Sequence, residues 1–174
     1  PDGSEKKFDY DVSLLDVAKS ISSSLAKKAV AGRVDGELRD LCVLISDDCR
    51  VEIVKSNEEV GLGIVRHSFA HLVGHAVKQL YPEAKMAIGP VIKDGFYYDF
   101  ELPDGATFTE DDLQNIEKRM REIIKEDQIF ERYEIPSEEA LEIFENHRFK
   151  KEIIEKVSSG EVDAEMSNEA SAEG

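Results

Sequence analysis

The sequence predicts an α+β chain. A small sheet crossed by one helix takes residues 1–56, and an α/β module with a central histidine-bearing helix takes residues 57–157. Three observations carry this reading. The first 55 residues run strand, helix, hairpin, strand, which is the β-grasp plan. The middle of the chain places His67, His71 and His75 four residues apart within an apolar helical pattern. A hairpin signal at Asp94-Gly95 and an amphipathic helix from Thr109 then supply layers for that helix to pack on.

Each element has its local reason. "KKFDYDV" alternates apolar and charged residues and reads as a strand. "PDGS" before it is turn chemistry, so a further strand is expected ahead of Pro1. Ser13 caps a helix whose stripe is Leu14, Val17, Ala18, Ile21 and Leu25. Asp35-Gly36 is a type I′ hairpin signal, and "CRVEIVK" closes the sheet as a strand. The expected core of this module is Val17, Ile21, Leu25, Val30, Leu41, Leu44, Val51 and Ile53.

The second module opens with a helix capped by Ser56 or Asn57 and ended by Pro82. Gly61 and Gly63 weaken its first turns, so firm helix is expected from about Ile64. "KMAIGPVIKDGFYYDFEL" gives two strands around Asp94-Gly95. Thr109 and three following acids start a helix with Leu113, Ile116, Met120, Ile123 and Ile124 on its apolar side. "IFERYEI" reads as a strand, "SEEALEIFENH" as a helix after Pro136, and "FKKEIIEKV" as either. Residues 158–174 carry no aromatic and little periodicity, and read as an acidic disordered tail.

Composition excludes several classes. The net charge of −16 argues against a free-standing nucleic-acid binder, since phosphate affinity comes from Lys and Arg. It leaves room for a module held against RNA by another domain. No apolar run reaches the ~18 residues of a membrane span, so no membrane partner is expected. Cys42 and Cys49 are too few for a disulfide framework and fit idle thiols in a reducing compartment. The expected location is cytoplasmic. A mitochondrial or plastid matrix also fits a processed chain beginning at Pro1.

Helical geometry of ~100° per residue puts His71 about 40° and His75 about 80° from His67. Val65, Phe69, Leu72, Val73, Ala76 and Leu80 then fall between roughly 140° and 240°, as the expected core stripe. Ala70 and Gly74 flank the histidines and leave space for a ligand or a neighbouring backbone. Three readings stay open for the imidazoles: bonds to nearby backbone, metal binding, or a pocket of hydrogen-bonding and water-activating groups. Metal is not expected, because "HSFAH" lacks the Glu of a zincin and a third ligand is not evident. In "GFYYDF", Phe96, Tyr98 and Phe100 share one strand face and Tyr97 and Asp99 the other. That strand is either ordinary half-buried sheet or a pocket wall whose hydroxyl and carboxylate orient a polar ligand.

Together "PDGS", "DVAKSI", "LAKKAVAGRVDGEL", "RHSFAHLVGHAVKQLYPEAKMAIGPVIKDGFYYDF", "EKRMREII" and "FENHRFKKEII" resemble the N-terminal region of bacterial-type threonyl-tRNA synthetases over residues 1–157. The resemblance implies a TGS domain of β-grasp fold, shared with stringent-response enzymes and some GTPases, and then the start of a threonyl/alanyl-type editing domain. Such a domain hydrolyses serine mischarged on threonine tRNA. A threonine pocket admits serine, and one methyl group discriminates only ~10- to 200-fold.

By the same resemblance the H-x-x-x-H pair falls on His67 and His71, the motif tyrosine on Tyr98 with Asp99 beside it, and the "YK" lysine on Lys150. His75 takes a structural role, while Gly74 is expected on the substrate side of the helix from its place beside the histidines. The implied partner is the acceptor end of tRNA(Thr). The family's ATP, Mg and Zn belong to its class II aminoacylation domain, so no cofactor is expected in this chain. The family's downstream C-x-x-x-H element has no counterpart here, since both cysteines precede His67. The expectation is a chain that does not attach threonine and edits slowly. The alternative is a truncated paralogue acting as a non-catalytic binding module in a ribosome-type assembly, with a protein partner over an open sheet edge.

Overall fold

The computed structural model describes residues 3–160, apart from residue 88 and residues 129–132. It divides into two compact units, one ending at Arg66 and one beginning at His67.

In the first unit, β1 (Val12–Ser13) leads into α1 (Leu14–Ile21). Ser13 caps α1 with a full box: the Asp16 N–H donates to the Ser13 hydroxyl, and the Asp16 carboxylate accepts from the Ser13 N–H. The helix breaks at Ser22, whose extended backbone ends α1 and whose hydroxyl caps the short α2 (Ser23–Ala26). The run "ISSS" explains the break, because serine hydroxyls compete for backbone donors. β2 (Ala29–Val34) pairs with β3 (Glu37–Arg39) and β5 (Val51–Lys55), both antiparallel, while β4 (Leu44–Ile45) pairs with β1. Asp35 and Gly36 both take positive φ, 50° and 92°, as the expected hairpin turn requires.

Two expectations need correction here. Residues 3–11 form no strand: among the described residues no neighbouring strand pairs with them, and an isolated extended segment leaves its backbone to water. The core also differs. Val12, Leu14, Val17, Ala18, Ala31 and Val54 are buried, whereas Ile21 is 55% and Leu44 64% exposed. Gly32 decides the packing. A Cβ there would lie 2.9 Å from both Leu14 methyls, so its absence lets α1 press Leu14 onto the sheet.

α3 (Glu59–Leu80) runs from the first unit into the second. Its helix begins five residues before Ile64, and Gly61 serves close approach there: a Cβ would stand 2.0 Å from the Lys55 carbonyl oxygen. At the far end the Lys78 ammonium donates to the carbonyls of Pro82 and Ala84 beyond the last turn.

The second unit continues as a broken hairpin. β6 (Lys85–Met86) pairs with β9 (Phe100–Glu101), and β7 (Val91–Ile92) with β8 (Gly95–Phe96). The turn therefore falls at Lys93-Asp94, one residue earlier than expected. α4 (Glu110–Glu126) starts with a Thr109–Asp112 capping box. α5 (Ser137–Ile143) begins after Pro136, and α6 (Arg148–Ser159) packs against it. "FKKEIIEKV" is thus helix, and residues 158–159 belong to α6 rather than to the tail. The rest of the expected tail, from residue 161, lies outside the described residues, as do residues 129–132 of "IFERYEI". Residues 133–135 of that segment are not strand.

Ala76 and Val77 of α3, Ala84, and Ile116 and Ile123 of α4 form the core of this unit, with Leu72, Val73, Tyr81, Phe100, Phe108 and Met120 against it. The buried face of α3 keeps Leu72, Val73 and Ala76 of the expected stripe but not Phe69 or Leu80. Phe69 is 45% exposed while Ala70, in the histidine flank, is only 4% exposed. Next to it on that side, Gly74 takes the Tyr98 ring.

Candidate functional site

α3 sets the site. The i, i+4 spacing stacks His67 and His71 on successive turns. Their Nε2 atoms stand 2.8 Å apart, and the rings meet edge to face with centroids 4.5 Å apart. A nitrogen–nitrogen contact this short needs one N–H and one lone pair. One imidazole therefore donates and the other accepts. His67 is half-buried and His71 exposed.

His75 is committed elsewhere. Its Nε2 lies 2.7 Å from the Gln79 amide nitrogen, while the Gln79 amide oxygen accepts from Arg119 Nε at 2.6 Å. Arginine only donates, so the Gln79 oxygen faces it and the NH2 group donates to His75. Arg119 is also ion-paired to Glu122 and Glu126. This chain of bonds ties α3 to α4 and leaves His75 a structural part of the seam.

Tyr98 comes off the hairpin and lies on α3. A Cβ on Gly74 would meet Tyr98 Cε1 at 2.8 Å and its hydroxyl oxygen at 2.9 Å. A Cβ on Gly89 would meet the other side of the ring, Cδ2 at 3.1 Å and Cγ at 3.2 Å. The Tyr98 hydroxyl points at Met86 Sδ, 3.6 Å away, and the Phe100 ring centroid is 4.6 Å from its own. The space over Gly74, expected to admit a ligand or a backbone, is filled by this aromatic ring. Residues 97–99 belong to no strand, so the expected strand through "GFYYDF" is interrupted there, yet burial alternates: Tyr98 and Phe100 are half-buried, and Tyr97 and Asp99 exposed. The Asp99 carbonyl accepts from Ala87 N–H at 3.0 Å.

Lys150 stands half-buried in the first turn of α6. Two residues earlier, Arg148 and Glu101 of β9 lie close enough to favour each other's ionised form. That influence adds to the stronger bonds of Glu101 with Lys85 and of Arg148 with Glu152. The site residues thus gather as two contact pairs, His67 with His71 and Gly74 with Tyr98, one helical turn apart. Asp99 lies just ahead of β9, and Lys150 lies on α6. Gly89 and Met86 escaped the sequence reading, although "AIGP" lies close before "GFYYDF".

A hollow of about 390 Å3 lies away from the histidines. It is lined by Tyr81, Pro82, Ala84, Leu102, Pro103, Phe108 and Asp112, among others. In its wall the Tyr81 hydroxyl donates to Asp112 at 2.6 Å. Thr109 and then Tyr81 hold the Asp112 carboxyl down at about 2, and Asp112 pushes Tyr81 up to about 12. Both thiols are pushed up too, Cys42 by its bond to Asp40 and Cys49 chiefly by burial, which suits neither to a nucleophile's role. Among the described residues no three His, Cys, Asp or Glu groups gather as a metal site, and no helix is long and apolar enough to cross a membrane.

Residues 1–55 match the family model of the TGS domain. The mixed α/β chain therefore opens with a TGS domain of β-grasp-like form, followed by helices. TGS domains occur in threonyl-tRNA synthetases and in other proteins, and this one is compatible with a translation-related or tRNA-binding role.

Proposed function

We propose that this chain is the N-terminal part of a threonyl-tRNA synthetase, and that residues 57–157 serve proofreading by hydrolysing Ser-tRNA(Thr). The observation that carries this reading is the His67–His71 pair, one turn from the Tyr98 ring on Gly74. It occurs in a chain that opens with a TGS domain. A pair of imidazoles in which one donates and one accepts can take a proton from water and return one to a leaving oxygen. Water oxygen attacks the seryl carbonyl carbon, the carbon–oxygen bond to the ribose breaks, and the ribose oxygen takes up the proton. No covalent intermediate is needed. Tyr98 and Asp99 border the acceptor end, and Lys150 assists in orienting the water and ribose hydroxyls.

The test is deacylation of Ser-tRNA(Thr) by the 174-residue chain. The expected result is slow hydrolysis above the uncatalysed rate, falling by roughly a hundredfold or more in His67→Ala, or to the background rate if that is reached first. A wild-type rate equal to buffer alone, or an unchanged His67→Ala, would refute the reading.

A second reading rests on a different observation. Phe69 on α3 and Leu113 and Ile124 on α4, the latter two each 56% exposed, present apolar side chains to solvent. Such side chains suit a binding module with a protein partner. Co-sedimentation with ribosomes, without any ester hydrolysis, would favour it.

A further inference from the structure

We infer that Gly74 and Gly89 act as a pair of positioning residues that hold the Tyr98 ring by opposite edges and so fix where it stands over Gly74, one helical turn along α3 from His71. The inference rests on the proofreading reading given above and extends it to a residue, Gly89, that the motif pattern does not single out.

The geometry is specific to these two glycines. At Gly74 an added Cβ would stand 2.8 Å from Cε1 and 2.9 Å from the hydroxyl oxygen, closer than any ordinary carbon contact. At Gly89 the added carbon would stand 3.1 Å from Cδ2, on the opposite edge of the same ring, and 3.3 Å from the Tyr97 carbonyl oxygen. Tyr98 therefore cannot yield to a methyl on one side without pressing on the other. Phe100 stacks at a tilt on the ring, and Met86 meets its hydroxyl, which closes two further directions.

Two other glycines on the same elements supply matched controls. Gly63 lies on α3 and Gly95 on the hairpin, and a Cβ on either would meet nothing within 4 Å. Neither takes a positive φ that alanine would resist. A general effect of Gly→Ala on helix or strand would thus appear in all four variants. An effect passed through Tyr98 would appear in two.

The experiment uses the full chain with 13C-labelled tyrosine. The Tyr98 ring signals are assigned by their loss in Tyr98→Phe. Gly74→Ala, Gly89→Ala, Gly63→Ala and Gly95→Ala are each measured for ring signals, thermal midpoint and Ser-tRNA(Thr) deacylation. Gly89→Ala carries the milder contacts, and keeps the test open if Gly74→Ala fails to fold. The expected result is a shifted Tyr98 signal in Gly74→Ala and Gly89→Ala only. Their hydrolysis rates fall on the order of 10- to 100-fold, as misplacement by about 1 Å can cause, or reach background within that range. Unshifted ring signals in Gly89→Ala would overturn the inference. So would a shifted ring with an unchanged rate, or an equal loss in Gly63→Ala and Gly95→Ala. A wild-type chain without hydrolysis removes the proofreading reading and the positioning role with it. The ring signals then still report whether the two glycines hold Tyr98, so the two failures are told apart.

Discussion

Gly61→Ala should weaken the first unit although alanine is the better helix former. The added Cβ would lie 2.0 Å from the Lys55 carbonyl oxygen and 2.7 Å from its carbon. Ordinary contact needs more than 1 Å of additional separation, and both atoms belong to the backbone at the end of β5, so no rotamer change relieves the clash. Overpacking of this kind costs about 1–3 kcal/mol. The gain in helix propensity returns at most ~1 kcal/mol. With the full gain returned, the net loss reaches about 2 kcal/mol, or as much as a roughly 30-fold rise in the open population. Amide hydrogen exchange of β2 and β5 in the full chain reads that factor directly. Gly63→Ala is the internal comparison: with open space around it, the same substitution two residues along α3 should slow exchange or leave it unchanged. Faster exchange in both variants, or in neither, would refute the close-approach argument.

Other outcomes follow from the second unit. Asp112, held first by Thr109 and then by Tyr81, and Tyr81, held by Asp112, make stability depend on pH at both extremes. Asp112 is depressed from 3.8 to about 2, so its contribution is complete above pH 3.8 and disappears as pH falls towards 2. Tyr81 is raised from 10 to about 12, so its contribution is complete below pH 10 and disappears as pH rises towards 12. Tyr81→Phe should abolish the alkaline step in a far-ultraviolet circular dichroism titration, and an unaltered alkaline midpoint would contradict the assignment. Ile123→Ala, in the core, should cost about 2–5 kcal/mol in urea unfolding. Ile124→Ala, its exposed neighbour, should stay within about 0.5 kcal/mol. Similar losses for the two would mean that α4 packs with another face.

Local chemistry was legible wherever a short motif carries its own geometry. Ser13 and Thr109 cap as read, and Asp35-Gly36 turns as read, because each depends on residues within four positions. What escaped depends on partners far along the chain. Hydropathy assigns Phe69 to the core and Ala70 to an open flank, but Phe69 is exposed and Ala70 buried, and Gly74 lets the Tyr98 ring approach the helix. Side-chain hydrophobicity ranks Phe above Ala and carries no information on how closely two elements approach. Gly61 reads as a weak helix start for the same reason: the Lys55 carbonyl that requires it is not visible as a pattern. At the site, the His67–His71 contact followed from i, i+4 spacing alone. The commitment of His75 needed Arg119, forty residues from Gln79.

The Asp112 carboxylate is shared between two structural levels. One of its oxygens closes the box that starts α4, and the other accepts from Tyr81 just beyond the end of α3. Helix nucleation is costly because several residues must be fixed before the first bond is made. Here the group that fixes the first turn is also the group that the neighbouring tyrosine seeks, so starting α4 and joining it to Tyr81 reinforce each other. The folding transition state should accordingly treat Thr109 and Tyr81 as one nucleus: substitutions at these two positions should slow folding by similar fractions of their equilibrium cost, despite lying 28 residues apart in sequence.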